Sequence, residues 1–414
     1  MGKTIRENED RKILFISHDA SRSGAPITLL TLLRWLRSNS GLCFEILLGR
    51  GGALEQDFRS IGHVLVFYQE PPRHRLKRII WRIIQPFLRK VYLYRLKNYY
   101  RKQNIALIYA NTIATGEILE FLSFLKCPVI CHVHELEYVI GFFGSTNFEH
   151  VKNCTGQYIS CSEVVKNNLI CNHNIPCSKI ETVYGFVRVS EIRPDRAKYQ
   201  VCEEFDIPKD APIVCMSAAY LDWRKAPDIF ILLARDVYKK VSYPVHFLWV
   251  GGYPEKIQMQ KLMYDIDRLR LSNFIHFLGE KSNPFDYFAA CDVFALVSRE
   301  DPFPLVCLEA ASLGKPIVCF DKAGGMPEFV EDDCGFIVPY LDTEAMAEKI
   351  IELIKNPELR QRLGERARKK VKERFDVEVQ APKILSLMQR TMNPTFALAK
   401  MSERTLLGPT IGFA

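Results

Sequence analysis

The sequence predicts an α/β protein built from two doubly wound, Rossmann-like domains that face a central cleft. Short apolar runs bounded by turn residues alternate with longer amphipathic patterns, which is typical of parallel strands joined by crossover helices. The alternation stops once, between about residues 187 and 210, where the chain is charged and contains prolines, and then it restarts. The length of 414 residues accommodates two such domains. Because open parallel sheets bind ligands beyond the carboxyl ends of their strands, we expect a ligand site between the domains.

The first half of the chain predicts one domain, at residues 1–190. Its apolar runs predict strands, and its patterns with a period near 3.6 residues predict helices. The predicted strands are residues 12–17, 43–48, 64–67, 107–110, 129–133 and 158–161, and the predicted helices are 26–37, 54–61, 116–125 and 163–169. Gly24 precedes Pro26 at the start of the first helix, where glycine lets a ligand approach the backbone and proline begins the helix.

The second half predicts another domain, at residues 210–375, after a linker at 191–209. The same criteria predict strands at 213–217, 247–250, 275–278, 293–297, 316–320 and 336–338, and helices at 227–240, 256–269, 305–313 and 343–355. Residues 376–392 are amphipathic, and we expect this helix to return to the first domain. The tail at 393–414 receives no assignment.

Composition and cysteine content exclude several classes of protein. Hydrophobic residues make up 48% and charged residues 25%, which excludes a disordered chain, a collagen and a coiled coil. No stretch of 18 apolar residues predicts a membrane-spanning helix. The thirteen cysteines lack the regular spacing of a disulfide scaffold, and the first apolar run is too short for a signal peptide. We therefore expect a cytoplasmic protein.

Residues 73–102 carry the positive charge of the protein. They contain eleven Lys and Arg, and the net charge of +8 minus these eleven leaves −3 for all other residues. As a helix, this segment places Leu76, Ile80, Ile83, Phe87 and Val91 on one side and Arg78, Arg82 and Arg89 on the other, with aromatic residues between. Such a helix suits an anionic membrane surface. A structural helix that covers its own sheet and a nucleic-acid site remain the alternatives.

Asp301 and Glu309 are candidate ligand-binding carboxylates. Asp301 follows the strand that ends near residue 297, and Glu309 lies inside the next helix in an apolar setting. Burying such a glutamate is costly unless a ligand or a protein group hydrogen bonds to it. The backbone N–H groups of Phe303 and Leu305 at the start of this helix suit an anionic or polyhydroxylated ligand. A simple acidic N-cap at Asp301 is the alternative.

Three further positions point to the same cleft. Arg224 and Lys225 follow the strand at 213–217 and could neutralise a diphosphate, although solvated surface charge is the alternative. His134 ends the strand at 129–133. No cysteine and histidine spacing matches a zinc site, so we predict no metal. The chain lacks the glycine patterns of nicotinamide-binding enzymes and P-loop NTPases.

These motifs resemble those of the family 4 retaining glycosyltransferases of the GT-B fold, over about residues 11–390. The run from Asp301 to Glu309 is similar to the family's two acidic residues separated by seven positions, and Trp223-Arg224-Lys225-Ala226 is similar to its basic pair. The resemblance implies that Glu309 binds the ribose of the donor and that Asp301 lies beside the donor sugar. It also implies that Arg224 and Lys225 bind the diphosphate and that His134 lies near the sugar. Three departures are Asp301 in place of glutamate, prolines at 302 and 304, and Ala226 in place of glycine.

The resemblance implies a glycosyltransferase that uses a nucleoside diphosphate sugar without a cofactor or metal. Taken with the basic segment, it predicts a peripheral enzyme at the cytoplasmic membrane face whose acceptor is a lipid-linked glycan or polysaccharide. Nucleic acid is not expected as a partner. The alternatives are a GT-B epimerase or phosphorylase, or a non-catalytic membrane-surface protein.

Overall fold

Two parallel sheets form the framework of the protein, as the sequence predicts. The computed structural model describes residues 11–71, 74–252 and 256–393. The strands of the first sheet are β1 (Lys12–Ser17), β2 (Cys43–Leu48), β3 (His63–Val66), β4 (Ile105–Asn111), β5 (Val129–Val133), β6 (Gln157–Ser160) and β7 (Ile180–Thr182). Those of the second are β8 (Ile213–Ser217), β9 (His246–Val250), β10 (Ile275–Phe277), β11 (Val293–Leu296), β12 (Ile317–Phe320) and β13 (Gly335–Val338).

Helices connect the strands and cover the sheets. In the first half they are α1 (Gly24–Asn39), α2 (Glu55–Ile61), α3 (Arg75–Arg101), α4 (Gly116–Leu122), α5 (Glu137–Phe143), α6 (Ser145–Cys154) and α7 (Glu163–Cys171). In the second half they are α8 (Lys198–Glu204), α9 (Pro227–Tyr238), α10 (Lys256–Arg268), α11 (Phe285–Ala290), α12 (Leu305–Ser312), α13 (Met326–Val330), α14 (Thr343–Lys355), α15 (Pro357–Lys370) and α16 (Val377–Met392).

The strand order of each sheet positions the cleft. The first sheet runs β3-β2-β1-β4-β5-β6-β7 and the second runs β10-β9-β8-β11-β12-β13. The order reverses beside β1 in the first sheet and beside β8 in the second. A crevice opens at the carboxyl ends of the strands where the order of a parallel sheet reverses. The loops after β1, β4, β8 and β11 therefore form the walls of the candidate site.

Short elements account for most differences from the sequence prediction. The structure adds β7 and the helices α5, α6, α8, α11, α13 and α15, because segments of this kind are too short or too mixed in polarity to give a clear period. The range expected as a linker contains α8, which packs against α11 of the second domain.

The basic segment is one long helix, α3, with two different environments. At its carboxyl end Leu96 and Tyr100 are buried in the first domain. Near its middle, Ile84, Phe87 and Leu88 share one side and are 43%, 69% and 37% exposed. The side chains of residues 75–80, 82 and 83, which include most of the predicted stripe, lie outside the described residues. The carboxyl end of α3 therefore packs on its own domain, as the structural-helix alternative expects, whereas the middle of α3 exposes apolar side chains.

The last helix of the chain packs on the first domain. After the second sheet, α16 lies against α1 and β4, and Trp35 Nε1 donates a 2.7 Å hydrogen bond to Glu378 Oε2. Ile384 and Met388 are fully buried in the core on that side of the first sheet. The tail from residue 394 onward lies outside the described residues. In the part of the chain that the structure describes, no helix is long and apolar enough to cross a membrane.

Candidate active site

Arg299 joins the two loops of the second domain that carry the predicted site residues. Its backbone N–H donates to the Arg224 carbonyl oxygen at 2.8 Å. Its guanidinium donates to both carboxylate oxygens of Asp228 at 2.9 and 2.6 Å. Bidentate pairs of this kind fix geometry as well as adding energy. The loop after β8 is therefore held against the loop after β11, and Arg224 and Lys225 come to lie beside Asp301.

Lys225 and Asp301 form a buried ion pair. Lys225 Nζ contacts Asp301 Oδ2, and Ser298 Oγ donates to the same oxygen at 3.3 Å. The other carboxylate oxygen lies 3.9 Å from the Arg224 guanidinium. Burial lowers the pKa of Lys225, and the charge of Asp301 opposes that shift. The resemblance implies that Asp301 lies beside the donor sugar, which stays a prediction; in the structure its carboxylate contacts Lys225 and positions that cation.

Ala226 adopts a left-handed backbone conformation, with φ 60° and ψ 54°. A residue with a Cβ atom is disfavoured there, which gives a physical reason for glycine at this position in the family that the chain resembles. The next residue, Pro227, begins α9. The strained turn is held from both sides, because Lys225 N–H donates to Asp222 Oδ1 at 2.8 Å and Arg299 pairs with Asp228.

Glu309 lies inside α12 without a partner for its charge. None of the described residues hydrogen bonds to its carboxylate. Glu309 is neither fully buried nor exposed, so its carboxylate keeps limited access to solvent. Desolvation raises its pKa to about 7. A ligand that donates hydrogen bonds to the carboxylate would remove this penalty.

The start of α12 offers backbone donors to the cleft. The N–H groups of Phe303, Leu305 and Val306 donate to no other described residue, and Pro304 has no N–H. The Phe303 ring is buried between Tyr184 and Phe375, with ring centroids 5.3 and 5.6 Å apart. Only the backbone of Phe303 is therefore available to a ligand. Together with the helix dipole, these groups favour an anion at this point.

On the first domain, Asn111 determines the tautomer of His134. Asn111 Nδ2 donates to the Ala25 carbonyl oxygen at 2.8 Å, which leaves its Oδ1 as an acceptor. His134 Nε2 lies 3.0 Å from that oxygen and must carry the proton. Burial, with a contribution from His18, lowers the pKa of His134 to about 3. His134 is thus a neutral imidazole whose Nδ1 can accept a hydrogen bond.

Two more histidines adjoin His134. The ring centroids of His132 and His134 lie 4.0 Å apart, and Tyr109 Oη hydrogen bonds to His132 Nδ1 at 2.7 Å. Burial lowers the pKa of His132 and of His18, and the charge of Asp19 opposes the shift at His18. At neutral pH the three rings are uncharged but can still donate and accept hydrogen bonds.

Glu135 is a buried carboxyl group beside a strained backbone. Its Oε2 accepts from the N–H groups of His134 at 2.8 Å and Ile113 at 3.4 Å. Burial raises its pKa to about 7, and these bonds and the charge of Arg224 across the cleft oppose the shift. Thr112 has φ 107°, which is rare for a β-branched residue and marks stored strain.

Gly24 begins α1 at the edge of the same cleft. A Cβ atom built at this residue would meet no heavy atom within 4 Å, so the space in front of the backbone is open. Its carbonyl oxygen accepts a hydrogen bond from Thr28 Oγ1 at 2.9 Å. The structure leaves room at Gly24 for the ligand approach that the sequence predicts.

Glu328 connects the two domains. Its carboxylate accepts the N–H groups of Glu163 and Val164, at 2.9 and 2.8 Å, at the start of α7 in the first domain. Ser162 Oγ donates to the Pro302 carbonyl oxygen at 3.0 Å in the same interface. Sequence analysis missed these roles of Glu328 and Ser162, and that of Asn111. Only the position of Asn111 at the end of a buried strand indicated a site residue.

The residues within 11–71, 74–252 and 256–393 form no group of three His, Cys, Asp or Glu side chains that could hold a metal ion.

Sequence comparisons identify a family and several relatives of this chain. Residues 201–370 match the sequence model of the family described as glycosyl transferases group 1. The N-acetyl-alpha-D-glucosaminyl L-malate synthase of Bacillus anthracis is 29% identical over 49% of this chain and 51% of its own length. The lipopolysaccharide core biosynthesis glycosyltransferase LpsE of Rhizobium meliloti is 28% identical over 47% of this chain and 53% of its own. The chain spans about half the length of these curated relatives.

Solved structures share the fold over nearly the whole chain. Anabaena HepE in complex with UDP and glucose has a TM-score of 0.74 and 22% identity, covering 91% of this chain and 99% of its own. The sucrose-phosphate synthase of Thermosynechococcus elongatus has a TM-score of 0.73 and 19% identity, covering 92% and 98%. The fold is therefore GT-B.

Replacing Glu309 with glutamine is expected to stabilise the unliganded protein above pH 7. The pKa of Glu309 is about 7 in the folded chain and about 4.5 when unfolded, so the folded state binds more protons between these values. The stability of the wild type therefore falls relative to Glu309→Gln as the pH rises through this window. We expect a gain of about 1–2 kcal/mol at pH 8, reduced because the cleft is partly open to water, and none at pH 4.5.

Urea unfolding of both proteins at the two pH values measures this difference. Glu365→Gln, an exposed substitution on α15, is the matched control and should change neither value. Equal stability of Glu309→Gln and wild type at pH 8 would contradict the prediction, because it would mean that the charged Glu309 carboxylate is not destabilised by burial.

The tautomer of His134 is expected to stay fixed between pH 5 and pH 9. Since its pKa is about 3, the ring should show a protonated Nε2 and an unprotonated Nδ1 throughout this range in ¹⁵N NMR spectra. His134→Gln assigns the signal. In Asn111→Ala the acceptor is lost, and the two tautomers should mix. A ring that titrates near pH 6.5 in the wild type would contradict the assignment.

Proposed function

We propose that the chain, whose residues 201–370 match the model of the glycosyl transferases group 1 family, is a retaining glycosyltransferase. It would move a sugar from a nucleoside diphosphate to an acceptor hydroxyl. The observation that carries the proposal is the meeting of a basic pair, free backbone donors and the unpartnered Glu309 carboxylate at the carboxyl ends of β8 and β11. These are the groups that a nucleoside diphosphate needs.

Each part of the donor has a complementary group in the second domain. Arg224, Lys225 and the N–H groups at the start of α12 would bind the diphosphate. Glu309 would accept hydrogen bonds from the ribose hydroxyls, which would supply the donors that its buried carboxylate lacks. HepE, of the same fold, was solved with UDP and with UDP-glucose, which makes UDP the first nucleotide to test.

The reaction needs stabilisation of the leaving group. As the bond between the sugar and the diphosphate breaks, negative charge grows on the diphosphate oxygen. Arg224 and Lys225 would oppose that charge more strongly in the transition state than in the ground state. Asp301 would hold Lys225 in place rather than contact the sugar. In this mechanism the two cations supply the charge stabilisation, and no metal is required.

Retention of configuration fits the carboxylates of the cleft. A double displacement needs a carboxylate free to attack the sugar, with a second group about 5–5.5 Å away as acid and base. Asp301 is bound to Lys225, and Glu135 accepts backbone N–H groups. We therefore favour substitution on the same face of the sugar. The neutral His134 would accept a hydrogen bond from a sugar hydroxyl through Nδ1.

The acceptor is proposed to be a lipid-linked glycan or polysaccharide at the cytoplasmic membrane face. The support is the middle of α3, where the exposed Ile84, Phe87 and Leu88 adjoin the exposed Lys90. An apolar face edged by cations is typical of helices that lie in the interface of anionic bilayers. The basic segment 73–102 would hold the first domain against the surface that carries the acceptor.

Nucleotide binding tests the donor site. We expect UDP or another nucleoside diphosphate to raise the melting temperature of the purified protein, equally with and without EDTA, because the ligand binds only the folded state. Glu309→Ala and Lys225→Ala should abolish the rise. GDP, ADP, dTDP and their sugars complete the panel.

Glu365→Ala and Lys261→Ala, both exposed substitutions, are the matched controls and should respond like the wild type. If no nucleotide raises the melting temperature, the donor site is wrong. Loss of the rise on adding EDTA would contradict the metal-independent mechanism.

Vesicle binding tests the membrane surface. We expect the protein to sediment with vesicles of anionic phosphatidylglycerol but not with phosphatidylcholine, and to be released by salt. The double substitution Phe87→Ser and Leu88→Ser should weaken binding about ten-fold or more, since two apolar side chains leave the bilayer interface. Tyr264→Ser, at a residue 65% exposed on α10, is the control. Equal sedimentation of all three proteins would rule out this surface.

A further inference from the structure

A cavity of about 370 Å³ lies on the first domain, outside the donor cleft. Its walls come from the loops that follow β2 and β3 and from α3. They include Arg50, Tyr68, Glu70, Gln85 and Arg89. The loops leave the carboxyl ends of their strands, so the cavity opens at the same end of the first sheet as His134.

Tyr68 forms a rigid aromatic wall of this cavity. The guanidinium carbon of Arg89 lies 5.2 Å from the centroid of its ring, and that of Arg50 lies 5.7 Å away. Tyr68 Oη donates to Glu117, and Arg89 pairs with the same carboxylate at 2.8 Å. The wall and one cation are therefore fixed before any ligand binds, which lowers the entropic cost of binding.

Arg50 remains available to a ligand. It is exposed and makes no ion pair within the part of the chain that the structure describes. Two guanidinium groups lie beside the same ring; Glu117 pairs with Arg89, and the Glu70 carboxylate, which also lines the cavity, offsets part of the positive potential of Arg50. Glu70 and Gln85 add oxygen and amide groups that can bind hydroxyls. An aromatic face, hydroxyl-binding groups and a free cation together match a sugar ring that carries an anionic group.

The cavity adjoins the candidate active site across the loop after β1. Arg50 N–H donates to the His18 carbonyl oxygen at 3.1 Å, and the next loop residue but one, Gly52, packs against Ala20. The charge of Arg50 contributes to the lowered pKa of His18, and His18 in turn affects His134. Only the loop after β1 therefore separates the cavity from the residues that face the donor sugar.

We propose that the cavity at Arg50, Tyr68 and Arg89 is an acceptor subsite that binds a sugar bearing a phosphate or carboxylate group. This inference rests on the proposed glycosyltransferase function, in which the second domain holds the donor and leaves the first for the acceptor. Arg50 binds the anionic group, and Tyr68 packs against the apolar face of the sugar ring. The hydroxyl to be glycosylated then points past the loop after β1 toward His134.

Ligand titration followed by NMR tests the subsite in protein saturated with UDP. The probes are glucose 1-phosphate, N-acetylglucosamine 1-phosphate and glucuronic acid, with methyl α-glucoside and inorganic phosphate for comparison. We expect at least one anionic sugar to bind more tightly than the neutral glycoside and than inorganic phosphate. The phosphate and carboxylate probes show which anionic group is preferred.

Substitutions assign that binding to the cavity. Arg50→Gln should weaken it about ten-fold or more, because a charge-assisted hydrogen bond is lost. Arg50→Lys should weaken sugar binding less, since lysine keeps the positive charge but cannot form bidentate hydrogen bonds. Arg366→Gln, an exposed substitution on α15, should bind like the wild type. Since Arg50 is exposed, these variants should retain the wild-type melting temperature.

Several results would overturn the subsite. The subsite is wrong if the anionic sugars compete with UDP, or if they no longer bind to Lys225→Ala. It is also wrong if they bind Arg50→Gln as tightly as the wild type. Equal binding of inorganic phosphate and sugar phosphates, or no binding of any anionic sugar, would likewise overturn it. The donor function is tested separately by the nucleotides. Nucleotide binding without sugar binding would reject the subsite alone, whereas failure of nucleotide binding would reject the proposed function.

Discussion

The contact between Glu328 and the start of α7 is the interaction on which the candidate site depends. From α13 of the second domain, the Glu328 carboxylate accepts two N–H groups of the first domain, and Ser162 Oγ donates a hydrogen bond to the Pro302 carbonyl oxygen beside it. A carboxylate at a helix start is favoured by both its hydrogen bonds and the helix dipole. The contact holds the carboxyl ends of the two sheets face to face. Without that orientation, Arg224 would not lie across the cleft from Glu135.

The two walls of the cleft differ in electrostatic character for a physical reason. The wall of the second domain holds Arg224 and Lys225 with Asp301 between them, so it keeps positive charge in a buried place. The opposite wall holds three histidines whose pKa values are lowered by burial, so these rings are polar and neutral, and the Glu135 carboxyl group beside them has a pKa raised to about 7. Such a division suits a ligand that is anionic at one end and hydroxylated at the other. The unpartnered Glu309 carboxylate adds a place for hydroxyl donors beside the cations.

The candidate site combines stored strain with uncompensated charge. Ala226 and Thr112 both have positive φ, on opposite sides of the cleft, and Glu135 and Glu309 have pKa values raised to about 7. Such features reduce the stability of the unliganded protein and are retained where the surrounding structure enforces them. The surrounding structure here is rigid, since Arg299 joins the two loops of the second domain and Asn111 orients His134. The loss of folding stability therefore arises at residues of the cleft, where a bound ligand would reduce it.

The sequence by itself determined the two-domain α/β fold and the identity of most groups in the cleft. Hydrophobic periodicity reports burial directly, so the strands that form the centres of both sheets were predicted to within a few residues. Parallel connections then place Arg224, Lys225 and Asp301 after strand ends and Glu309 in the helix that follows one of them, whatever the details of packing. Tertiary structure alone decided which of these groups touch. Only the folded chain shows that Asp301 forms an ion pair with Lys225 and that Asn111 determines which ring nitrogen of His134 carries the proton. Only the folded chain shows, too, that Glu328 connects the two domains. Such pairings join residues that are far apart in the chain, and local sequence patterns carry no information about contacts of that kind.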